Sequence, residues 1–292
     1  MEWIDRLNQS LDFLEANLDN KINYDEAARI ACCSTFHYQR MFSYIANVPL
    51  AEYIRRRKMT LAAVDLQSGN GKIIDIALKY GYDSPTAFNR AFQMIHGISP
   101  RAARASGVSL KAFPRITFNI TIKGDVEMNY KIEKKDAFRI VGVKEHYELN
   151  LEENLAQVPL FWQRTIQNGT VPLLISMMNM EPKGILGVST CMNGRDFDYY
   201  IAVATDTAAP QGMFAYEVPQ CTWAIFECTG ALPHAIQQLQ KRIVSEWLPS
   251  SGFEYADAPD IEVYFEGDQQ ADDYQCQVWL PIIKKSDAGC DG

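Results

Sequence analysis

IIDIALKYGYDSPTAFNRAFQMIHGISPR, running from Ile73 to Arg101, is the stretch whose reading decides the fold. Ile73, Ile76, Ala77 and Tyr80 recur at helical spacing, and Gly81 supplies a residue that accepts the left-handed backbone ending a helix. Ser84 followed by Pro85 gives an N-cap with proline at the first helical position, so a second helix starts at Pro85. In that helix Ala87, Phe88, Ala91, Phe92 and Ile95 form an apolar stripe. Thr86, Asn89, Arg90 and Gln93 fall on the opposite side at the spacing of one helix face. Such a face suits the major groove of DNA, and taken alone it more often marks an ordinary solvated surface, because amphipathic helices are far commoner than recognition helices.

A repeat decides between the two. Sliding the chain by 50 residues lays Ala27 on Ala77, Ser34 on Ser84, Arg40 on Arg90, Phe42 on Phe92 and Ile45 on Ile95. In the first copy Ser34 is the N-cap, Tyr38, Met41, Phe42 and Ile45 face inward, and Phe36, Gln39, Arg40 and Ser43 face out. An amphipathic helix over 4–18 precedes the first copy. Between the copies LAEYIRRRKMTLAAVDLQ, residues 50–67, contains strong helix formers and no Gly or Pro, which predicts one stiff helix holding the copies apart. Its Arg55-Arg56-Arg57-Lys58 run is read equally as a solvated face and as a contact to backbone phosphate.

The charge balance agrees with this division. Of 28 Lys+Arg and 36 Asp+Glu in the 292-residue chain, 14 and 11 lie in residues 1–112, leaving 14 and 25 for the remainder. The first part can approach phosphate and the second repels it. The seven cysteines show no CxxC pair and read as reduced thiols. With neither a leader-like start nor an apolar run of the roughly 20 residues a membrane helix needs, the expected location is the cytoplasm, away from membranes. His37, His96, His146 and His234 lack partners at metal-ligand spacing, and no Gly-rich phosphate loop is found, so neither metal nor cofactor is expected.

Residues 107–126 form a connector in which Ile116, Phe118, Ile120 and Ile122 alternate with polar residues, the signature of a strand. Beyond it, strands are expected at 129–146, 184–191, 197–206, 212–218, 221–229, 260–267 and 274–284, with helices at 151–167 and 232–248. The halves meeting near Thr207 and Met213 repeat one plan. The fold class is therefore multi-domain, an all-α double helix-turn-helix domain (1–106) followed by an α+β domain (127–288) of duplicated strand-helix-strand-strand units. The groove between two such halves is a natural small-molecule site.

Residues 8–104 resemble the DNA-binding domain of the AraC/XylS family through Ala27, Ser34, Gln39-Arg40-x-Phe42, Tyr53-Ile54, Ile74-x-Ile76-Ala77, Gly81-Tyr82, Phe88-x-Arg90-x-Phe92 and Ser99-Pro100. The resemblance implies that Phe36, Gln39 and Arg40 read bases from the first unit, and Thr86, Asn89 and Arg90 from the second. The two recognition helices would enter successive major grooves roughly 34 Å apart. Residues 127–285 resemble the GyrI-like effector-binding domain at Ala137–Val143, Pro219–Gly230, Glu246–Pro249, Pro259–Tyr264 and Val278–Ile282, and the whole chain resembles the Rob-like branch of the AraC family. That resemblance implies a transcription regulator, not an enzyme, with promoter DNA, a small lipophilic or aromatic effector and RNA polymerase as partners. Tyr147, Trp162, Trp223, Tyr264, Gln277 and Trp279 are the expected ligand-binding residues. In this family a buried glutamate two residues before Trp279 opposes cationic ligands. Here that residue is Gln277, which argues against a cation unless Glu217, Glu227 or Glu262 supplies the carboxylate. The alternative readings are a hydrolase working through Trp279 and a module that sequesters another protein through its acidic surface.

Overall fold

A computed structural model describes residues 3–69, 71–118, 127–148, 151–191 and 196–284, with the side chains of residues 36, 148, 151–156 and 191 outside that description. The chain divides into two compact units. The first is Met1–Cys32 with Ala46–Asn119, and the second is Cys33–Ile45 with Ile120–Gly292. Helix α3 (Thr35–Ala46), the helix of the first copy, thus groups with the second unit while its neighbours in sequence belong to the first.

The first unit is helical: α1 (Trp3–Ala16), α2 (Tyr24–Ile30), α4 (Leu50–Gln67), α5 (Ile73–Lys79) and α6 (Pro85–His96). Leu7, Leu11 and Leu14 of α1 are fully buried, each contributing roughly 1.5–3 kcal/mol. Met59, Ala62 and Leu66 of α4, Ile76 and Ala77 of α5, and Phe88, Phe92 and Ile95 of α6 form one apolar cluster.

The basic run of α4 is largely committed inside this unit. Arg55 and Arg56 both pair with Glu52, and Arg57 pairs with Glu15 at 2.8 Å. Lys58 Nζ donates to the Asn20 and Tyr80 carbonyls at 3.1 Å each, placing a cation at the carbonyl end of α5.

The connector's alternating pattern does not form a strand over 108–118; residues 119–126 lie outside the described residues. The segment runs as an extended strap along the helices. Phe118 N–H donates to Asn8 Oδ1 at 3.0 Å, Ile116 N–H to the Tyr53 hydroxyl at 3.3 Å and Phe113 N–H to Thr60 Oγ1 at 3.0 Å. Side chains of the helices satisfy the backbone groups that a sheet partner would otherwise take.

The second unit carries a nine-stranded antiparallel sheet, ordered β1-β6-β9-β8-β3-β4-β2-β5, with β7 paired to β9. The strands are β1 (Tyr130–Lys135), β2 (Phe138–Glu148), β3 (Ile185–Cys191), β4 (Asp196–Ala204), β5 (Phe214–Val218), β6 (Cys221–Thr229), β7 (Phe253–Tyr255), β8 (Asp260–Tyr264) and β9 (Gln275–Lys284). Helices α7 (Leu151–Gln167) and α8 (Thr170–Met177) separate β2 from β3. Helix α9 (His234–Arg242), continued by a π-helical turn over Ile243–Trp247, follows β6.

The expected duplication is present as β2-α7-β3-β4 and β6-α9-β8-β9, joined where β3 pairs with β8. Each half exchanges a strand with the other: β1, which precedes β2, pairs with β6, and β5, which precedes β6, pairs with β2. The expected strand over 129–146 divides at Asp136-Ala137 into β1 and β2 for this reason. Helix α8 and strand β7 were not expected. Two apolar clusters pack the helices onto one sheet face, Phe161 and Leu174 with Tyr199 and Ile201 on one half, Ile236 and Leu239 with Phe226 and Val278 on the other. A third cluster, with Trp223, Val263 and Trp279, covers the opposite face.

Cys33, Cys221, Cys228 and Cys276 are free thiols, and Cys32 is disulfide-bonded. The latter departs from the all-thiol expectation, because spacing along the chain does not report which thiols meet in space. No helix among the described residues is long and apolar enough to cross a membrane.

Candidate functional site

The second recognition unit forms as its sequence demands. Gly81 has φ +81°, and a Cβ there would lie 3.3 Å from Lys58 Nζ, so glycine serves both the left-handed turn and the approach of the buried lysine. The Ser84 hydroxyl accepts from Ala87 N–H at 3.4 Å, Pro85 opens α6, and Gly97 closes it with φ +78°. Phe88, Ala91, Phe92 and Ile95 are buried. Thr86, Arg90 and Gln93 are exposed, Asn89 is half-buried, and Ala87, expected in the stripe, is exposed as well. Among the described residues Arg90 has no acidic partner, so its guanidinium is available to a base edge or phosphate.

The first recognition helix has the same local build and different surroundings. The Ser34 hydroxyl accepts from His37 N–H at 3.3 Å, and Tyr38, Met41 and Phe42 are buried. Ser43, expected to face out, is also buried, while Gln39 and Arg40 are half-buried. The side chain of Phe36 lies outside the described residues.

Arg40 donates to Asp260 of β8 and lies 5.6 Å over the Tyr44 ring. The His37 ring stacks on Tyr255 at 3.8 Å. Burial, with Arg40 beside it, pushes the His37 imidazole down to about 3, so it is neutral. Burial raises the Asp260 carboxyl even against the opposing pull of Arg40.

Beside this contact, on the helix-bearing face of the sheet, lies a carboxylate among aromatic rings. Glu262 Oε2 accepts from the Tyr199 hydroxyl at 3.0 Å and the Tyr264 hydroxyl at 2.9 Å, and Oε1 accepts from Gln240 Nε2 at 2.6 Å. Trp162 Nε1–H donates to the Tyr199 hydroxyl at 3.0 Å, and its ring meets Tyr264 edge-on at 5.0 Å. Burial first, then the Glu262 charge, raises both phenols well above their ordinary range, so they remain donors.

Gly187, directly opposite Glu262 on β3, makes the arrangement possible. A Cβ there would overlap the Tyr199 hydroxyl and lie 2.8 Å from Glu262 Oε2.

The structure separates the six expected ligand residues. Trp162 and Tyr264 belong to the Glu262 group. Tyr147 shares that face and is tied elsewhere, donating to Glu145 at 2.8 Å and stacking with Phe197. Trp223, Gln277 and Trp279 lie on the opposite face, where Trp279 Nε1–H donates to Gln277 Oε1 at 2.9 Å and the two indoles are 5.9 Å apart. Residues directly paired across antiparallel strands share a face. Gln277 pairs with Val263, one position from Glu262, so the two carboxamide and carboxylate groups point to opposite sides.

Of the three alternative carboxylates, Glu217 and Glu227 are exposed and Glu262 is the one in the aromatic cluster. Tyr199, Gln240 and Gly187 had no sequence signal of their own, since their roles arise from the β3–β8 joint between the halves.

An exposed recognition helix and an anionic aromatic site on a duplicated α+β fold define a helix-turn-helix regulator with a small-molecule-binding domain. Residues 128–283 match the GyrI-like small molecule binding domain, and residues 27–106 match a helix-turn-helix domain. The chain belongs to the GyrI-like family and carries an AraC-type DNA-binding region ahead of that domain.

It is similar to the HTH-type transcriptional activator AarP of Providencia stuartii, at 42% identity over 34% of this chain and 74% of that protein. It is also similar to the Right origin-binding protein of Escherichia coli K12, at 26% identity over 93% of this chain and 96% of that protein. A solved structure of SAV2435 bound to tetraphenylphosphonium matches 53% of this chain and 94% of that one, at 28% identity and a TM-score of 0.49.

Proposed function

We propose that this regulator binds operator DNA through α3 and α6, with Gln39, Arg40 and Phe36 on the first and Thr86, Asn89 and Arg90 on the second, and that its effector is a lipophilic cation bound at Glu262. The observation that carries the effector class is the Glu262 carboxylate held among Tyr199, Tyr264 and Trp162. Aromatic faces attract a cation, and a partly buried carboxylate opposes its charge. This revises the expectation drawn from Gln277, because the carboxylate comes from β8 instead of β9.

Bound DNA and effector couple through their different affinities for two states of the protein. RNA polymerase is the partner through which a DNA-bound regulator of this kind acts on transcription. The enzyme reading gains no support at Glu262, whose oxygens accept from two phenols and an amide and are not left free to exchange a proton with substrate.

Titration calorimetry of the full chain with tetraphenylphosphonium and with a neutral compound of similar size tests the effector class. Binding of the cation that is lost in Glu262→Gln supports it. Equal binding of the neutral compound, or binding indifferent to Glu262→Gln, would overturn it.

A further inference from the structure

The outward arginine of the first copy's helix is engaged by a carboxylate, and the residues that engage this helix run directly into the Glu262 group. Arg40, the α3 residue assigned to base reading, is spent on Asp260, which lies 5% exposed on β8 two residues from Glu262 and on the same sheet face. From the same helix the Tyr44 hydroxyl donates to Gln240 Oε1 at 2.9 Å, and the other end of that carboxamide donates to Glu262 Oε1 at 2.6 Å. A continuous polar path therefore links Trp162, Tyr199, Glu262, Gln240 and Tyr44. The α6 twin has no counterpart: Arg90 is exposed, with no acidic partner among the described residues.

We propose that α3 acts as an internal ligand of the effector domain, and that a lipophilic cation engaging Glu262 releases it to complete DNA binding. The proposal rests on the reading of α3 as a DNA-reading helix and of Glu262 as the effector site.

The energetics suit a latch. Arg40 and the more distant His37 ring both approach the same Asp260 oxygen, Oδ2, and among the described residues the other oxygen has no hydrogen-bond partner. A buried ion pair incompletely satisfied recovers little more than the cost of desolvating its charges, so it can open for a modest input.

That input enters through Gln240. A cation drawn to Glu262 competes with Gln240 for the carboxylate oxygen, and a freed carboxamide no longer orients its carbonyl toward Tyr44. Once α3 leaves, Arg40 recovers water or phosphate as its partner, and DNA captures the released state. Effector and operator then bind with positive and reciprocal coupling.

The test uses the full chain with a duplex selected in vitro from random sequence, read by titration and hydroxyl-radical footprinting. Wild type without effector should protect one major groove, through α6. Tetraphenylphosphonium should extend protection to the neighbouring groove and tighten binding about thirtyfold, within the usual range of allosteric coupling.

Asp260→Asn should produce the extended footprint without the cation. Tyr44→Phe, which removes one hydrogen bond and no buried charge, should tighten binding about fivefold. A two-groove footprint in the unliganded wild type, or wild-type affinity in both variants, overturns the latch.

The underlying reading fails separately. Indifference of binding to Arg90→Ala removes the DNA-reading assignment. Absence of calorimetric cation binding, with Asp260→Asn still tightening, removes the effector and leaves the masked helix standing.

Discussion

Helices α3 and α6 are sequence twins 50 residues apart, each opened by a capping serine and each carrying an arginine at the same outward position. Arg90 faces solvent; Arg40 is half-buried against Asp260. Local sequence sets the helix, its N-cap and most of its apolar stripe in both copies. What each polar face touches is set by residues far away, and for Arg40 the partner is 220 positions along the chain. The two copies therefore carry matching polar faces whose arginines meet different surroundings.

The largest expected effect breaks the asymmetry at its control point. Glu262→Gln should lower affinity for a lipophilic cation by roughly 30-fold or more, the lower end of what removing one member of a desolvated charge pair costs. Footprints with and without the cation should then be the same.

Next comes the direct contrast of the arginines. Without effector, Arg90→Ala should weaken operator binding by about 1–3 kcal/mol, while Arg40→Ala, which opens the latch as it removes a base contact, should not weaken it. With effector present the two losses should become comparable, as gel-shift titrations on one operator would show.

A smaller effect separates the turns. Gly81 adopts φ +81° after α5, whereas the matching residue after α2, Ala31, has φ −76° and the left-handed residue there is Cys32, one position further on, at φ +53°. Gly81→Ala should destabilise the helical unit by about 1–2 kcal/mol in urea denaturation, since an L side chain there is strained. Smallest is Ser84→Ala, which removes the N-cap of α6 and should cost about 1 kcal/mol in the same measurement.

Much of the architecture was legible because it is written in local periodicity. The helices of both copies, the stiff α4 and the second-unit duplication follow from apolar spacing, capping serines and turn residues. Helix α8 carries little periodic signal because TVPLLISM contains a proline and only eight residues, and three-residue β7 is too short to show alternation. The connector's alternation at Ile116 and Phe118 is real, yet its backbone groups bond to Tyr53 and Asn8; alternation reports an extended chain and not what lies beside it.

The site was half legible for the same reason. Trp162 and Tyr264 were identified as aromatic candidates, but so were Trp223 and Trp279, which the β6–β9 and β8–β9 registers place on the opposite sheet face. A one-residue difference of register exchanges the faces, and long-range register is not encoded in any single strand. Gln277 carries no charge, whereas Glu262, on the neighbouring strand, places a carboxylate among the aromatic rings of the other face.

The central claim, that one reading helix is masked while its twin is free, can be measured without DNA. Arginine-selective modification of the full chain by phenylglyoxal, followed by mass spectrometry, gives separate rates at Arg40 and Arg90. The account predicts fast reaction at Arg90, protection at Arg40, and loss of that protection when tetraphenylphosphonium is added. Equal rates at the two arginines in the unliganded protein would contradict it.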